Sequence, residues 1–395
     1  MAAEGGGDHR RPQLAYGGSL ILLGLILVAI CVTSGDICWS GSGYARAGES
    51  RIDERLVPTR APLLQSNALP VRDGAPDSVA LAAQLGGMYS LRQRIGVGAP
   101  FAPVPTAAME ELSPGWYLDW SATANPLELE GIEYMPMVRL SRSGYWPSAE
   151  VLVRIAAERP GSVWLIGNEP DVIWQDNVPP DDYARLYHEL YGLLKKADSG
   201  CQVAIGGVSQ PTPLRLAYLE AVLASYRVQF GGEMPVDVWN VHAFILREEA
   251  GSWGVDIPPG SDRWVGELFR VEDHDDMAVF RRQIEAFRQW MKAMGQQNKP
   301  LIVSEYGIVM PAEYGFPPEQ VQHFLLDTFD YFLTAQDQGI GYPLDDYRLV
   351  QRWCWFSLAD EKYPTGNLID RESGELTPIG ETLKAYVQQD GEPDQ

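Results

Sequence analysis

The chain predicts an α/β fold, a (β/α)8 TIM barrel preceded by a single apolar amino-terminal helix and a linker, and three observations carry that prediction. Eight short apolar runs recur through the body, each followed by turn residues or an amphipathic stretch. Two of them, Trp164-Leu165-Ile166-Gly167-Asn168-Glu169-Pro170-Asp171 and Leu301-Ile302-Val303-Ser304-Glu305-Tyr306-Gly307, end in a carboxylate and a turn former. A buried parallel strand looks like this when it delivers a glutamate to the carboxyl rim of a barrel. The body, residues 89–390, also has the length such a barrel needs. An open doubly wound sheet is the competing arrangement, but no glycine-rich phosphate loop opens any of the helices.

Residues 1–14 are a short polar tail carrying His9, Arg10 and Arg11. Residues 15–33 are apolar, with no charge between Leu20 and Val32, just enough to cross a bilayer. Basic residues precede this segment and Asp36 follows it, so the positive-inside bias predicts a signal-anchor with a cytoplasmic tail and the body outside. A cleaved secretory signal is the alternative, although Ala45-Arg46-Ala47 lies well beyond the apolar run. Either reading puts the body outside the cytoplasm, at the membrane or secreted. Cys31 suggests lipid attachment, but Ile30 stands where a small residue is wanted. Residues 34–88, broken by Pro58, Pro62, Pro70 and Pro76, read as a linker with a short helix around Ser78 to Leu85.

Strands are expected at Leu91 to Val97, Gly115 to Trp120, Glu133 to Leu140, Ser162 to Gly167, Gln202 to Gly207, Val236 to Ala243, Pro300 to Glu305 and Arg352 to Leu358. Helices are expected at Asp181 to Lys196, Leu214 to Tyr226, Asp275 to Met294, Pro318 to Ala335 and Thr377 to Gln388. The first of these has acid at its start and lysine at its end, which suits the macrodipole. Strand and helix alternating through eight rounds argue for a closed parallel barrel.

Composition narrows the partners. With 31 Lys+Arg against 53 Asp+Glu the formal charge is -22, which excludes nucleic acid and favours neutral substrates. The four cysteines (Cys31, Cys38, Cys201, Cys354) make no disulfide framework, and the last two read as buried free thiols. Five scattered histidines, with no His-x-His or His-Glu-x-x-His string, point to neither metal nor cofactor.

Glu169 and Glu305 end the fourth and seventh strands, across the mouth from one another. A separation of about 5 Å is then feasible, the spacing of a retaining double displacement on a glycosidic bond. Such chemistry needs one carboxyl neutral and the other ionised, and spacing does not say which. The competing reading is that each glutamate caps the helix that follows. Trp120, Tyr145, Trp146, Trp174, Trp253, Trp264, Trp353 and Trp355 stand at strand ends or in loops, where indoles can pack on the flat faces of sugar rings. Trp353 and Trp355, two apart on one strand, share a face. Arg139 is expected either to meet a substrate hydroxyl or to pair with Asp119.

At this point the chain resembles the clan of retaining (β/α)8 glycoside hydrolases whose acid/base glutamate follows an asparagine on strand four and whose nucleophile ends strand seven. Asn168-Glu169-Pro170 and Ser304-Glu305-Tyr306-Gly307 match those motifs, over a body from about Leu91 to Tyr386. Within the clan it is most similar to the glycosyl hydrolase catalytic core family of endo-β-1,3-glucanase type. That resemblance rests on Gly115-Trp116-Tyr117-Leu118-Asp119-Trp120-Ser121, Tyr134-Met135-Pro136-Met137-Val138, Ile166-Gly167-Asn168-Glu169-Pro170-Asp171 and Val241-His242-Ala243-Phe244. It implies Glu169 as acid/base, Glu305 as nucleophile, Asn168 as donor to the sugar 2-hydroxyl and, since relatives carry a strand-eight tryptophan there, Trp353 and Trp355 as the platform beneath the reacting sugar. Many relatives carry His-x-Tyr on strand six, whose phenol holds the nucleophile. Here Phe244 offers no donor, so Tyr306 or another group would have to substitute, while His242 remains to orient a carboxylate or hydroxyl. The expectation is a membrane-anchored retaining glycoside hydrolase of neutral β-linked poly- or oligosaccharides, touching the bilayer through residues 15–33. A catalytically weakened carbohydrate-binding barrel and a transglycosylase are the alternatives.

Overall fold

The structure, a computed structural model, describes residues 88–100 and 104–389. The expected tail (1–14), signal-anchor (15–33) and, but for Met88, linker (34–88) lie outside the described residues. Among the described residues no helix is long and apolar enough to cross a membrane.

Ten strands are present among the described residues: β1 Ile95–Gly98, β2 Trp116–Leu118, β3 Glu133–Tyr134, β4 Met137–Ser141, β5 Gly144–Trp146, β6 Val163–Asn168, β7 Gln202–Gly207, β8 Trp239–His242, β9 Leu301–Tyr306 and β10 Arg352–Trp355. They form two arcs, β3-β2-β1-β10-β9-β8 and β5-β4-β6-β7. β3 and β4 are halves of one barrel strand, interrupted at Met135-Pro136 because proline has no N–H to give a ladder. Parallel bridges from Ala204 to Val238 and from Val208 to Val241 join β7 to β8. The eight-stranded ring thereby closes, with β5 outside it as an antiparallel hairpin on β4.

Eight α-helices are described: α1 Leu91–Arg94, α2 Thr106–Leu112, α3 Ala149–Glu158, α4 Pro180–Ala197, α5 Pro213–Phe230, α6 Met277–Ala293, α7 Pro318–Thr334 and α8 Pro378–Gln388. The five expected from periodicity all form. The first expected strand is half helix, because Ser90 and Gln93 close a capping box over Leu91–Arg94. The sequence reading missed α2 and α3, although Leu152, Ile155 and Ala156 bury one helical face of α3 at the expected spacing.

Side chains divide between two apolar layers. Met137, Leu165, Ile302 and Cys354 fill the barrel, whereas Val138, Ile166, Val303, Trp353 and Trp355 pack outward beneath the helices. Alternation along a strand therefore corrects the expected sugar platform. Cys354 points into the barrel, so Trp353 and Trp355 on either side point out of it, fully buried. Trp353 packs on Phe329 and Phe332 of α7, and the Trp355 indole N–H donates to the Gly366 carbonyl at 2.8 Å.

On β9 the alternation is broken on purpose of geometry. β8 pairs Val241 with Val303 but His242 with Glu305, and β10 pairs Trp353 with Val303 but Trp355 with Tyr306. Both neighbours thus register an extra residue on β9 between Val303 and Tyr306, a bulge of the kind that re-aims side chains. Val303 and Tyr306, three apart, consequently share the outer layer, and Glu305 turns to the mouth. Tyr306 does not substitute for the missing phenol: its ring packs on Phe280, Phe332 and Trp355, and its hydroxyl oxygen lies 3.4 Å from Thr328 Oγ1.

A buried ion pair ties the start of the ring to its end. Arg94, beside β1, donates to both oxygens of Asp345 at 2.7 and 2.8 Å and to the Gln351 carbonyl before β10, and Arg94 and Asp345 are 2% and 0% exposed. Removing one partner of such a pair leaves an uncompensated buried charge. Arg348, 3.6 Å from Asp345, offsets only part of it. Arg94→Met is expected to lose about 3 kcal/mol in urea unfolding, at the low end for a broken buried pair.

Candidate active site

Glu169 and Glu305 meet at the carboxyl rim, on either side of one histidine. Glu169 follows β6 with φ 43, a left-handed conformation that a side-chain-bearing residue holds only when its surroundings enforce it. Its N–H donates to the Gly207 carbonyl at 3.1 Å, and its own carbonyl accepts from Val172 N–H at 3.0 Å. His242 ends β8 with Nδ1 3.0 Å from Glu169 Oε1 and Nε2 3.4 Å from Glu305 Oε1. The imidazole sits against the end of β7 because residue 207 is glycine: a Cβ there would come within 2.4 Å of the ring. His242 is 0%, Glu305 5% and Glu169 8% exposed.

Trp120 supplies a further contact. Its indole N–H donates to Glu305 Oε1 at 2.6 Å, and its own φ is 54. Sequence reading expected this residue against the sugar and did not foresee the bond to the carboxylate. Phe244 sits edge-on to His242, with ring centres 6.1 Å apart, and contributes no polar atom.

The electrostatics follow from burial. Desolvation pushes the Glu305 carboxyl up, to about 7, with the His242 charge and the Trp120 hydrogen bond pulling the other way and Glu169 adding to the rise. For His242, burial favours the neutral ring, but Glu305, Glu169 and Asp171 together outweigh it and raise its affinity for a proton. Glu305 and His242 thus each bind a proton more tightly than the free side chains do, and His242 lies within 3.4 Å of both glutamates.

Around this centre lie residues that the sequence reading misplaced or missed. Arg139 pairs not with Asp119 but with Asp176, Nε to Oδ1 at 2.8 Å, and with Gln175 at 3.2 Å. Asp119 instead accepts from the Tyr134 and Ser121 hydroxyls, each at 2.9 Å. Asn168 donates through Nδ2 to Gln175 at 3.3 Å and leaves its buried Oδ1 without a protein partner. Behind Glu169, Asp171 is fully buried against Arg215, which also donates to Glu248 at 2.8 Å. Asp171 was visible in the Asn-Glu-Pro-Asp string, whereas Arg215 looks in sequence like a solvent-facing helix residue. Of the tryptophans flagged in loops, Trp146 is 72%, Trp174 38% and Trp264 76% exposed. Trp146 sits opposite Arg139 on the β4–β5 hairpin, and Trp174 adjoins Gln175, so both border the Glu169 side of the site. Among the described residues no cluster of His, Cys, Asp and Glu is arranged to hold a metal ion, and Cys201 and Cys354 are free and buried.

Solved structures share this architecture. A GH128 (subgroup II) endo-β-1,3-glucanase from Sorangium cellulosum is 18% identical, with a TM-score of 0.50 over 74% of this chain and 98% of its own. A subgroup II endo-β-1,3-glucanase from Pseudomonas viridiflava is 17% identical, with a TM-score of 0.50 over 74% and 97%. A subgroup I enzyme from Amycolatopsis mediterranei, crystallised as a variant with laminarihexaose, is 19% identical, with a TM-score of 0.50 over 74% and 99%. The likeness is one of fold. At these identities the activity has to be argued from the side chains. No protein-family profile and no curated protein matches the sequence.

The raised Glu305 pKa has a consequence for stability. A carboxyl whose proton is held more tightly in the folded state than in the unfolded state costs nothing below its unfolded pKa of about 4.3 and costs progressively more as pH rises toward 7. Glu305→Gln removes that cost. The melting temperature of the variant is expected to match that of the parent near pH 4 and to exceed it increasingly up to pH 8. Equal differences at both pH values in paired thermal melts would contradict the assignment.

Proposed function

We propose that this protein is a retaining glycoside hydrolase that cleaves neutral β-linked glucan chains, with Glu305 as nucleophile and Glu169 as acid/base. One observation carries the reading: two buried glutamates at the ends of β6 and β9 converge on a single imidazole at the open end of the barrel. Nothing in the packing of the barrel calls for that arrangement, and structural glutamates at helix starts would not face one another.

The roles follow the motif resemblance, with Glu305 ending the seventh strand and Glu169 following an asparagine on the fourth; Trp120 N–H, and His242 when charged, work against the burial that raises the Glu305 carboxyl to about 7. Glu305 would attack the anomeric carbon while Glu169 protonates the departing oxygen, leaving a glycosyl ester on Glu305. Glu169, now ionised, takes a proton from the incoming water, which attacks the same carbon and releases the sugar with its configuration retained. Asn168, beside Glu169, would hold the 2-hydroxyl of the reacting sugar, as the resemblance implies; its side-chain amide now donates to Gln175.

The substrate class follows from charge and shape. A chain of formal charge -22 disfavours anionic polymers, and the exposed faces of Trp146 and Trp174 suit neutral sugar rings. The fold neighbours named as endo-β-1,3-glucanases make β-1,3-glucan the first polymer to try. Tethering at the outer face of a membrane by residues 15–33 belongs to the same proposal and rests on sequence alone.

Wild-type protein is expected to hydrolyse linear β-1,3-glucan, with the β-anomer appearing first in time-resolved proton NMR. Glu305→Gln and Glu169→Gln should each lower turnover by about a thousand-fold or more. Initial release of the α-anomer would rule out the double displacement. Trp174 borders the acid/base side, where the leaving portion of the chain lies. Trp174→Ala is expected to raise KM about fivefold on a glucan hexasaccharide while leaving kcat on an aryl glucoside unchanged.

A further inference from the structure

We propose that Trp120 is the positioning residue of the nucleophile: its indole N–H, delivered from the loop after β2, fixes the Glu305 carboxylate and favours its ionised form against the effect of burial. The proposal rests on the glycosidase reading of the site and assigns to Trp120 a task distinct from stacking on sugar.

Four observations place the ring for this purpose. The N–H to Oε1 distance of 2.6 Å is that of a charge-assisted bond, shorter than the usual N–H···O contact. Trp120 adopts φ 54, a conformation a tryptophan holds only where its surroundings impose it. Gly98 at the end of β1 provides the space, since a Cβ there would stand 2.7 Å from the far edge of the indole. Phe356 closes the other side edge-on, with ring centres 5.6 Å apart. Backbone, glycine and aromatic neighbour all converge on one orientation of the ring, and that orientation points its single donor at Glu305.

Phe244, just after β8, carries no polar atom and packs on His242 and Phe356, so the position two residues past His242 gives Glu305 no donor. The other titratable or charged groups acting on Glu305 are His242 on β8, Glu169 after β6 and Arg139 on β4, while Cys354 on β10 has its thiol held protonated by burial. All of these change charge with pH or act through space. The indole N–H does neither, because it does not titrate in water. The donor is therefore present at every pH, and because its bond is stronger to the carboxylate than to the neutral acid it favours ionised Glu305, whose ionisation sets the acid limb of the activity profile.

Trp120→Phe keeps an aromatic face and removes the donor. Carboxyl carbon-13 NMR, with the Glu305 resonance assigned by its loss in Glu305→Gln, is expected to show the Glu305 pKa rising by about one unit in the substrate-free protein. The acid limb of kcat/KM should move by the same amount, with kcat falling about tenfold and KM nearly unchanged. Gly98→Ala leaves Trp120 in the chain and displaces its ring, so it should raise the same pKa by a smaller amount even if Trp120→Phe does not fold. An unmoved Glu305 resonance in either folded variant, or a change confined to KM, would overturn the proposal and leave Trp120 a sugar platform only. Because the titration needs no turnover, it reads the positioning role separately from the hydrolase reading, which fails instead if Glu305→Gln remains active.

Discussion

Two carboxylates largely buried at one end of a barrel repel one another and lose much of their hydration, so the arrangement persists only if the surrounding fold supplies compensation. Here the compensation is a single imidazole within reach of both, an indole N–H on one of them, and a guanidinium held one layer behind Glu169 through Asp171. Much of the barrel mouth can be understood as scaffolding for these contacts. Gly207 and Gly98 are bare because an imidazole and an indole must lie across the strands they end. Left-handed backbone at Glu169 and Trp120 is tolerated because the groups those residues carry have to turn sharply inward at the rim.

The extra residue on β9 is the second constraint. A strand with strict alternation that sends Ile302 into the barrel and Val303 out would send Ser304 in and Glu305 out, into the apolar layer under the helices. The shift registered by both β8 and β10 reverses that outcome at the last step. Burying a carboxylate against Phe280 and Phe332 would be costly, whereas Tyr306 fills the same place with little penalty. The bulge thereby settles both where Glu305 points and what seals the layer behind it.

How far the chain could be read before its fold was known depended on which residues carried local signals. The barrel was legible because β-branched runs and helical periodicity are properties of short windows, and the two glutamate strings stood at the ends of such runs. The short helix at Ala149–Glu158 escaped notice because it is only ten residues long, although its buried positions have helical spacing. Trp353 and Trp355 were assigned to the wrong layer: two residues apart fixes a shared face but not which face. Arg139 went to Asp176 instead of Asp119 because the loop after β6 folds back against β4, a contact between segments 37 residues apart.

By itself, the order of residues determined the alternation of strands and helices, the ring that alternation implies, and the identity of the two acids at the ends of its fourth and seventh strands. These follow from burial and periodicity, which act over a few residues at a time. Tertiary structure alone decided that His242 stands between the acids, that an indole from the second strand supports Glu305, and that the strand-eight indoles lie beneath helices. Those outcomes depend on strand register and on close approach at particular glycines, and both arise only when segments distant along the chain are packed into one ring.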